Sequence, residues 1–160
     1  MNIIGNIPDE IKQTLENDVN FSDVVFIKSY SSNATPNPMT KIYVSIEVEA
    51  VNVKNLTSPK YLGIFNGSKY FGNFTDVTVV LDIYSPRDIG CNGCYNTFFK
   101  ICEVFSNCNT YIINDAYCGK IEYDDDTFCF KSSCKLNINL FMSRQDSCLN
   151  SFSDIHVIKD

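Results

Sequence analysis

Lys41-Ile42-Tyr43-Val44-Ser45-Ile46-Glu47-Val48-Glu49-Ala50 sets Ile42, Val44, Ile46, Val48 and Ala50 in alternation with Lys41, Tyr43, Ser45, Glu47 and Glu49. Successive side chains of an extended chain point to opposite faces, so this period of two predicts a strand with one face on a core and the other toward water. After Ala50 the apolar phase slips by one, to Val51 and Val53. A β-bulge in a strand running to Lys54 would produce that slip, and its bend would let one strand serve two surfaces.

Two further stretches repeat the pattern. Phe74 to Tyr84 puts Val77, Val79, Leu81 and Ile83 on one face and Thr78, Val80, Asp82 and Tyr84 on the other, with Ser85-Pro86 as its end. Tyr117 to Tyr123, the acidic turn Asp124-Asp125-Asp126-Thr127, and Phe128 to Ser143 read as a β-hairpin. In its second arm Phe128, Phe130, Cys134, Leu136, Ile138, Leu140 and Met142 share a face opposite Lys131, Ser133, Lys135, Asn137 and Asn139. Ser22 to Tyr30, rich in β-branched and aromatic residues, is a further strand, followed by the loop Ser31 to Pro38. Between Asn55 and Asn73, Ser58-Pro59, Asn66-Gly67 and Gly72-Asn73 are turn-formers, with Asn66-Gly67 suited to a tight hairpin.

Helical signals occur twice. Pro8-Asp9-Glu10 before Ile11 and Leu15 puts proline at the first helical position and carboxylates where the helix dipole favours them, predicting a helix from Pro8 to Asn17. Cys94, Phe98, Ile101, Cys102 and Phe105 recur at the spacing of one helical face, predicting a second helix from Gly93 to Ser106 with Asn92 as its N-cap. Helix, about three strands, helix and two strands make an α+β fold, a mostly antiparallel or mixed β-sheet with one or two helices packed on one face. The expected organisation is a single α+β domain over residues 1–144 and a polar C-terminal arm over 145–160, the arm holding the strand-like Ile155-His156-Val157-Ile158.

With 160 residues, 44% of them hydrophobic and 13% aromatic, the chain has material for one packed core. Its formal net charge of −6 and the lack of a Lys/Arg run argue against sequence-specific nucleic-acid binding, which depends on a basic stripe. No stretch approaches the ~20 apolar residues that span a bilayer, so no membrane partner is expected. Met1 to Pro8 lacks the basic and long apolar regions of a signal peptide, which leads us to expect cytosolic synthesis. On that expectation N-x-S/T matches such as those at Asn33, Asn55, Asn66 and Asn73 are chance products of an Asn-rich composition.

Of the eight cysteines, Cys91-Asn92-Gly93-Cys94 at a helix start has the most chemical potential, because a helix N-terminus lowers a thiol pKa and C-x-x-C brings two sulfurs together. A zinc site would add Cys129 and Cys134, or Cys102 and Cys108, but neither second pair has two-residue spacing. Reduced, mostly buried thiols are the simpler expectation. His156, the single histidine, lies in the polar arm, where surface pairing suits it better than catalysis. Asp124 to Asp126 lacks the glycine and distal glutamate of a calcium loop and reads as a hairpin tip. Glu47 and Glu49 fall on a solvated face, and no phosphate-cradling glycine motif occurs. No catalytic residue, cofactor or metal ligand is assigned, and a non-enzymatic role is expected.

Taken whole, the chain resembles the tail terminator proteins of long-tailed phages and of phage-tail-like contractile bacteriocins. The resemblance covers about Pro8 to Arg144. It rests on the N-terminal helix, the strand ending Leu81-Asp82-Ile83-Tyr84-Ser85, the link Ile89-Gly90 into an amphipathic helix, and the closing hairpin with Lys120-Ile121-Glu122-Tyr123-Asp124 and Phe128 onward. The eight cysteines and the polar tail depart from that family's pattern. The resemblance implies a structural protein made in the bacterial cytoplasm and then built into a phage or phage-like tail. There it would form a homohexameric ring on the tail tube protein, stop polymerisation and contact sheath or neck. The bulged strand, the loop from Ser31 to Met39 and the arm from Ser143 to Asp160 would make the contacts, the arm by β-augmentation. Two other readings stand beside it: a small thiol-redox or zinc-binding protein using Cys91 and Cys94, and a head-tail joining or tail-completion protein.

Overall fold

The computed structural model describes residues 7–29, 39–54, 60–65, 68–107 and 112–145. The loop Ser31 to Pro38, the Asn66-Gly67 dipeptide, Cys108, Cys148, the arm beyond Gln145 and His156 within it lie outside the described residues. Among those residues the order is α1 (Ile7–Glu16), a 3₁₀ turn (Val19–Phe21), β1 (Val24–Lys28), β2 (Ile42–Val53), β3 (Lys60–Phe65), β4 (Ser68–Pro86), α2 (Asn92–Ser106), β5 (Ile112–Cys118), β6 (Glu122–Asp124) and β7 (Cys129–Gln145). This is an α+β fold whose strands mix parallel and antiparallel pairing: β1 runs parallel to β2, while β3 with β4, and β5 and β6 with β7, are antiparallel.

The chain groups into two compact units, one of Met1–Val51 with Asp76–Leu140 and the other of Asn52–Thr75 with Phe141–Asp160. In the first, the strand order is β1-β2-β4-β7-β5, so β4 is central and β1 and β5 end the path. Three side-chain contacts fix the direction of the central pair. Thr78 reaches Asn137, Asp76 reaches Asn139 and Asp82 reaches Lys131, so residue numbers rise on β4 as they fall on β7 and the two are antiparallel.

One apolar cluster fills this unit. From β4 it takes Val77, Val79, Leu81 and Ile83, all with 0% exposure, and from its neighbours Val44, Ile46, Leu136 and Ile138. Ile7, Ile11 and Leu15 of α1 and Phe98, Ile101 and Phe105 of α2 complete it, so both helices cover the same face of the sheet. Each fully buried aliphatic side chain contributes ~1.5–3 kcal/mol of hydrophobic stabilisation. The phase slip read in β2 is visible in burial: Glu49 and Ala50 are both exposed, and Val51 then turns back against the core.

Helix α1 begins at Ile7, one residue before the expected Pro8, with Asp9 and Glu10 in its first turn, and Asp9 pairs with Lys28 of β1 at 2.7 Å. Helix α2 starts differently. Its N-cap is Cys91, which makes no side-chain capping hydrogen bond, and Asn92 is already helical. Position is set instead by the turn before it, where the Ser85 hydroxyl donates to Gly90 O at 2.8 Å. A Cβ on Gly93 would overlap that hydroxyl, so only glycine lets the helix start approach β4 this closely.

Other expectations need correction. The strand expected from Ser22 begins at Val24, because Asp18 caps the 3₁₀ turn and holds Val19 to Phe21 out of the ladder. Phe128 does not share the inner face of β7: it lies in the turn with φ of 55° and is 59% exposed. The arm expected from Tyr117 to Tyr123 is two strands, β5 and β6, which follow one another along β7. Gly119, between them, lies so close to Ser133 O that no Cβ fits.

In the second unit β3 pairs with the start of β4, from Phe65 opposite Ser68 to Lys60 opposite Gly72, with a register shift between Tyr61 and Gly63. Two residues separate Phe65 from Ser68, the length of the expected hairpin turn. Gly72-Asn73, read as a turn, is instead inside β4 because cross-strand pairing with β3 carries the chain through it.

Candidate functional site

Strand β5 is the most exposed ordered element of the first unit. Its register on β7 shifts between Ile113 and Asp115, placing Asn114 as an extra residue. On one side of that shift Ile113 packs against the core; on the other Cys118 does. Ile112 and Tyr117 are each 62% exposed, and the outer edge of β5 ends the strand order among the described residues. A sheet edge offers a row of unpaired N–H and C=O groups, and natural proteins cover, shorten or charge such edges. This edge carries an isoleucine and a tyrosine.

The neighbouring elements share that character. Helix α2, which packs on β5, exposes Tyr95 and Phe99 four residues apart, and the β6–β7 hairpin exposes Tyr123 and Phe128. Six of the nine large exposed apolar residues among those described belong to α2, β5 and this hairpin. The apolar exposure of the unit is therefore concentrated on the elements at one end of the strand order.

The outward face of the central strands differs. Thr78 donates to Asn137 at 2.9 Å, Asn139 donates to Asp76 at 3.0 Å, and Lys131 pairs with Asp82 at 3.3 Å while lying 5.1 Å from the Tyr84 ring centroid. Burial works against the Lys131 charge, but the Tyr84 hydroxyl and the Asp82 carboxylate outweigh it and raise its pKa. Lys135 reaches across β4 to grip both Glu49 oxygens at 2.7 Å. Glu49 is thus held as part of a solvated face. An open cleft of about 430 Å³ lies at its end, lined by Lys120, Glu122, Tyr123, Asp124, Lys131 and Ser133. Lys120 pairs with Glu122 and Lys131 with Asp82, so each ammonium in the cleft already faces a carboxylate.

The cysteines separate by environment. Cys91 is exposed, while Cys94 is wholly buried with its thiol against Ile83 O at 3.6 Å and Phe130 O at 3.4 Å. Burial raises the Cys94 pKa from 9.0 to about 11, the opposite of what a nucleophilic thiol needs. Burial likewise raises Cys102 and Cys129. Another pair, separated by 16 positions in sequence, is Cys118 of β5 and Cys134 of β7. They are directly opposed in register and their sulfurs lie 3.1 Å apart. Spacing along the sequence singles out C-x-x-C; the Cys118–Cys134 pair depends on strand register, which only the fold supplies.

The acidic run behaves as a tip. Asp124 accepts from Asp126 N at 3.2 Å and from the Thr127 hydroxyl at 2.8 Å, closing the turn between β6 and β7. No group of three or more His, Cys, Asp or Glu side chains among the described residues is arranged to hold a metal ion. No helix of the described residues is long and apolar enough to cross a membrane. No protein-family model and no curated protein matches the chain.

Proposed function

We propose that this chain is a structural assembly protein that joins other chains, copies of itself first, through the β5 edge and the adjoining face of α2. The observation that carries the reading is β5 itself, an edge strand displaying Ile112 and Tyr117 with no strand on its outer side among the described residues. Such an edge is an aggregation hazard in a solitary protein and an asset in one that is covered on assembly. Heterologous contacts that close into a ring would cover every such edge without running on into a fibre.

Within that class, the finer reading is the terminator ring of a phage or phage-like contractile tail, a homohexamer that caps the tube protein and meets sheath or neck. Its support is the order and size of the elements: an N-terminal helix, a long central strand, a glycine-linked amphipathic helix and a closing hairpin. The rival thiol-redox reading at Cys91 and Cys94 has less support, since the Cys94 thiol contacts Ile83 O and Phe130 O while the Cys91 thiol contacts the Asn92 side chain.

Sedimentation and negative-stain microscopy of the purified protein test both levels. Ala116 occupies a non-hydrogen-bonded position opposite Leu136, so its N–H points away from β7, and Ala116→Pro blocks the outer edge while sparing the ladder. Closed rings are expected from the native protein, and monomers with an unchanged circular dichroism spectrum from the variant. A native protein that stays monomeric at the highest attainable concentration sinks the assembly reading. Rings that bind neck chains but not tube ends transfer the protein to head-tail joining or tail completion.

A further inference from the structure

We infer that Cys118 and Cys134 are a dithiol–disulfide couple that reversibly staples the edge strand β5 to β7. This inference is independent of the assembly reading and begins from register. Gly119 N donates to Ser133 O at 3.0 Å, so 119 and 133 form a hydrogen-bonded pair and the preceding opposed pair, Cys118 and Cys134, is non-hydrogen-bonded. At such positions the two Cα atoms approach to ~4.5 Å and the side chains lie closest. The sulfurs are 3.1 Å apart, so about 1 Å of further approach reaches the ~2.05 Å of a disulfide bond.

One hydroxyl joins the pair. Cys134 donates to the Cys118 sulfur, Cys118 lies 3.5 Å from the Ser132 oxygen, and the Ser132 hydroxyl donates to Gly119 O at 2.9 Å. The Ser132 hydroxyl also lies 3.6 Å from the Cys134 sulfur, so it touches both thiols and holds them on the same side of the ladder. Cys134 is wholly buried, and burial with its role as donor to Cys118 pushes its pKa up to about 12. Cys118 is half-buried on the edge strand, which makes it the sulfur a small reagent reaches first.

The chemistry is two exchanges with a low-molecular-weight disulfide, R–S–S–R. The Cys118 thiolate attacks one sulfur of the reagent, making Cys118–S–S–R and expelling R–S⁻. The Cys134 sulfur, deprotonated in its turn, then attacks the Cys118 sulfur, forming the protein disulfide and expelling the second R–S⁻. The two protons lost by the protein thiols convert the two leaving groups to R–SH. The protein is oxidised by two electrons and the reagent reduced by two. Because Cys134 holds its proton tightly, the second exchange is the slow one.

The test uses the full chain incubated with oxidised glutathione, followed by non-reducing peptide mass mapping and thermal unfolding before and after dithiothreitol. A Cys118–Cys134 linkage lacking two hydrogens, with a raised unfolding midpoint that dithiothreitol reverses, is expected. Cys118→Ala should show no oxidation-dependent midpoint shift, whereas Cys94→Ala should keep it. In Cys134→Ala the first exchange should stop at a glutathione adduct on Cys118. Should either variant fail to fold, the linkage map of the native protein decides alone: a bridge between other cysteines, or Cys118 and Cys134 recovered as free thiols after prolonged incubation, overturns the inference.

Discussion

The part of β4 from Asp76 to Pro86 and strand β5 belong to the same unit yet obey different rules. On β4 every inward position from Val77 to Ser85 has 0% exposure, and the outward Asp76, Thr78 and Asp82 meet partners on β7. On β5 five of seven residues are exposed, a register shift interrupts the alternation, and the largest side chains face solvent. The central strand is specified by its own core, whereas the edge strand is specified by a neighbour on one side and leaves the other side open. Stability should therefore reside in β4 and interaction in β5.

The sharpest way to break this contrast is a pair of truncations. Leu81→Ala leaves a cavity beneath both helices and should cost about 3 kcal/mol in urea unfolding, while Ile112→Ala should stay within about 0.5 kcal/mol. Comparable losses at the two sites would mean that β5 is buried as deeply as β4. The buried thiols give a second handle. Cys94 and Cys134 hold their protons to about 11 and about 12, above the 9.0 of an unfolded thiol. Above pH 9 the unfolded chain releases those protons and the folded chain does not, so the stabilisation present below pH 9 is lost as pH rises toward 12. Unfolding midpoints measured across that range should decline, and Cys94→Ala should flatten the slope.

Smaller effects sharpen the comparison. The Thr75 hydroxyl is fully buried with no hydrogen-bond partner among the described residues, so Thr75→Val should raise stability by about 1 kcal/mol by thermal unfolding; destabilisation would show that the hydroxyl is satisfied after all. The Glu49–Lys135 pair is short but half-exposed, and a double-mutant cycle with Glu49→Ala and Lys135→Ala should return only about 0.5 kcal/mol, decreasing with added salt.

What could be read in advance follows from the same contrast. Ile42 to Val48, Val77 to Ile83 and Cys134 to Ile138 alternate because each strand has one face on the core, and that period is a local property of sequence. Ile112 to Ala116 has no such period, since the extra residue Asn114 breaks the alternation and Ile113 alone of the five packs against the core, so the strand is legible only once β7 is in place. Asn92 and Phe128 fail for a related reason. A capping side chain is ordinarily the better start signal, but the Ser85–Gly90 turn fixes where α2 begins, and the closed Asp124 turn takes Phe128 out of the ladder. For the site, Cys91 and Cys94 stand out by spacing alone. Cys118 and Cys134 become neighbours only through register, and exposed side chains such as Tyr117 carry no periodic mark at all.

The pairing at the centre of the sheet also dictates a timetable. Thr78 and Asn137, which tie β4 to β7, are separated by 59 positions. At a synthesis rate of ~5–20 residues per second, β4 leaves the ribosome roughly 3–12 seconds before its principal partner exists. Throughout that wait its apolar side has only β2 and the nascent helices for shelter, so a nascent chain stalled beyond α2 should recruit chaperones until β7 emerges.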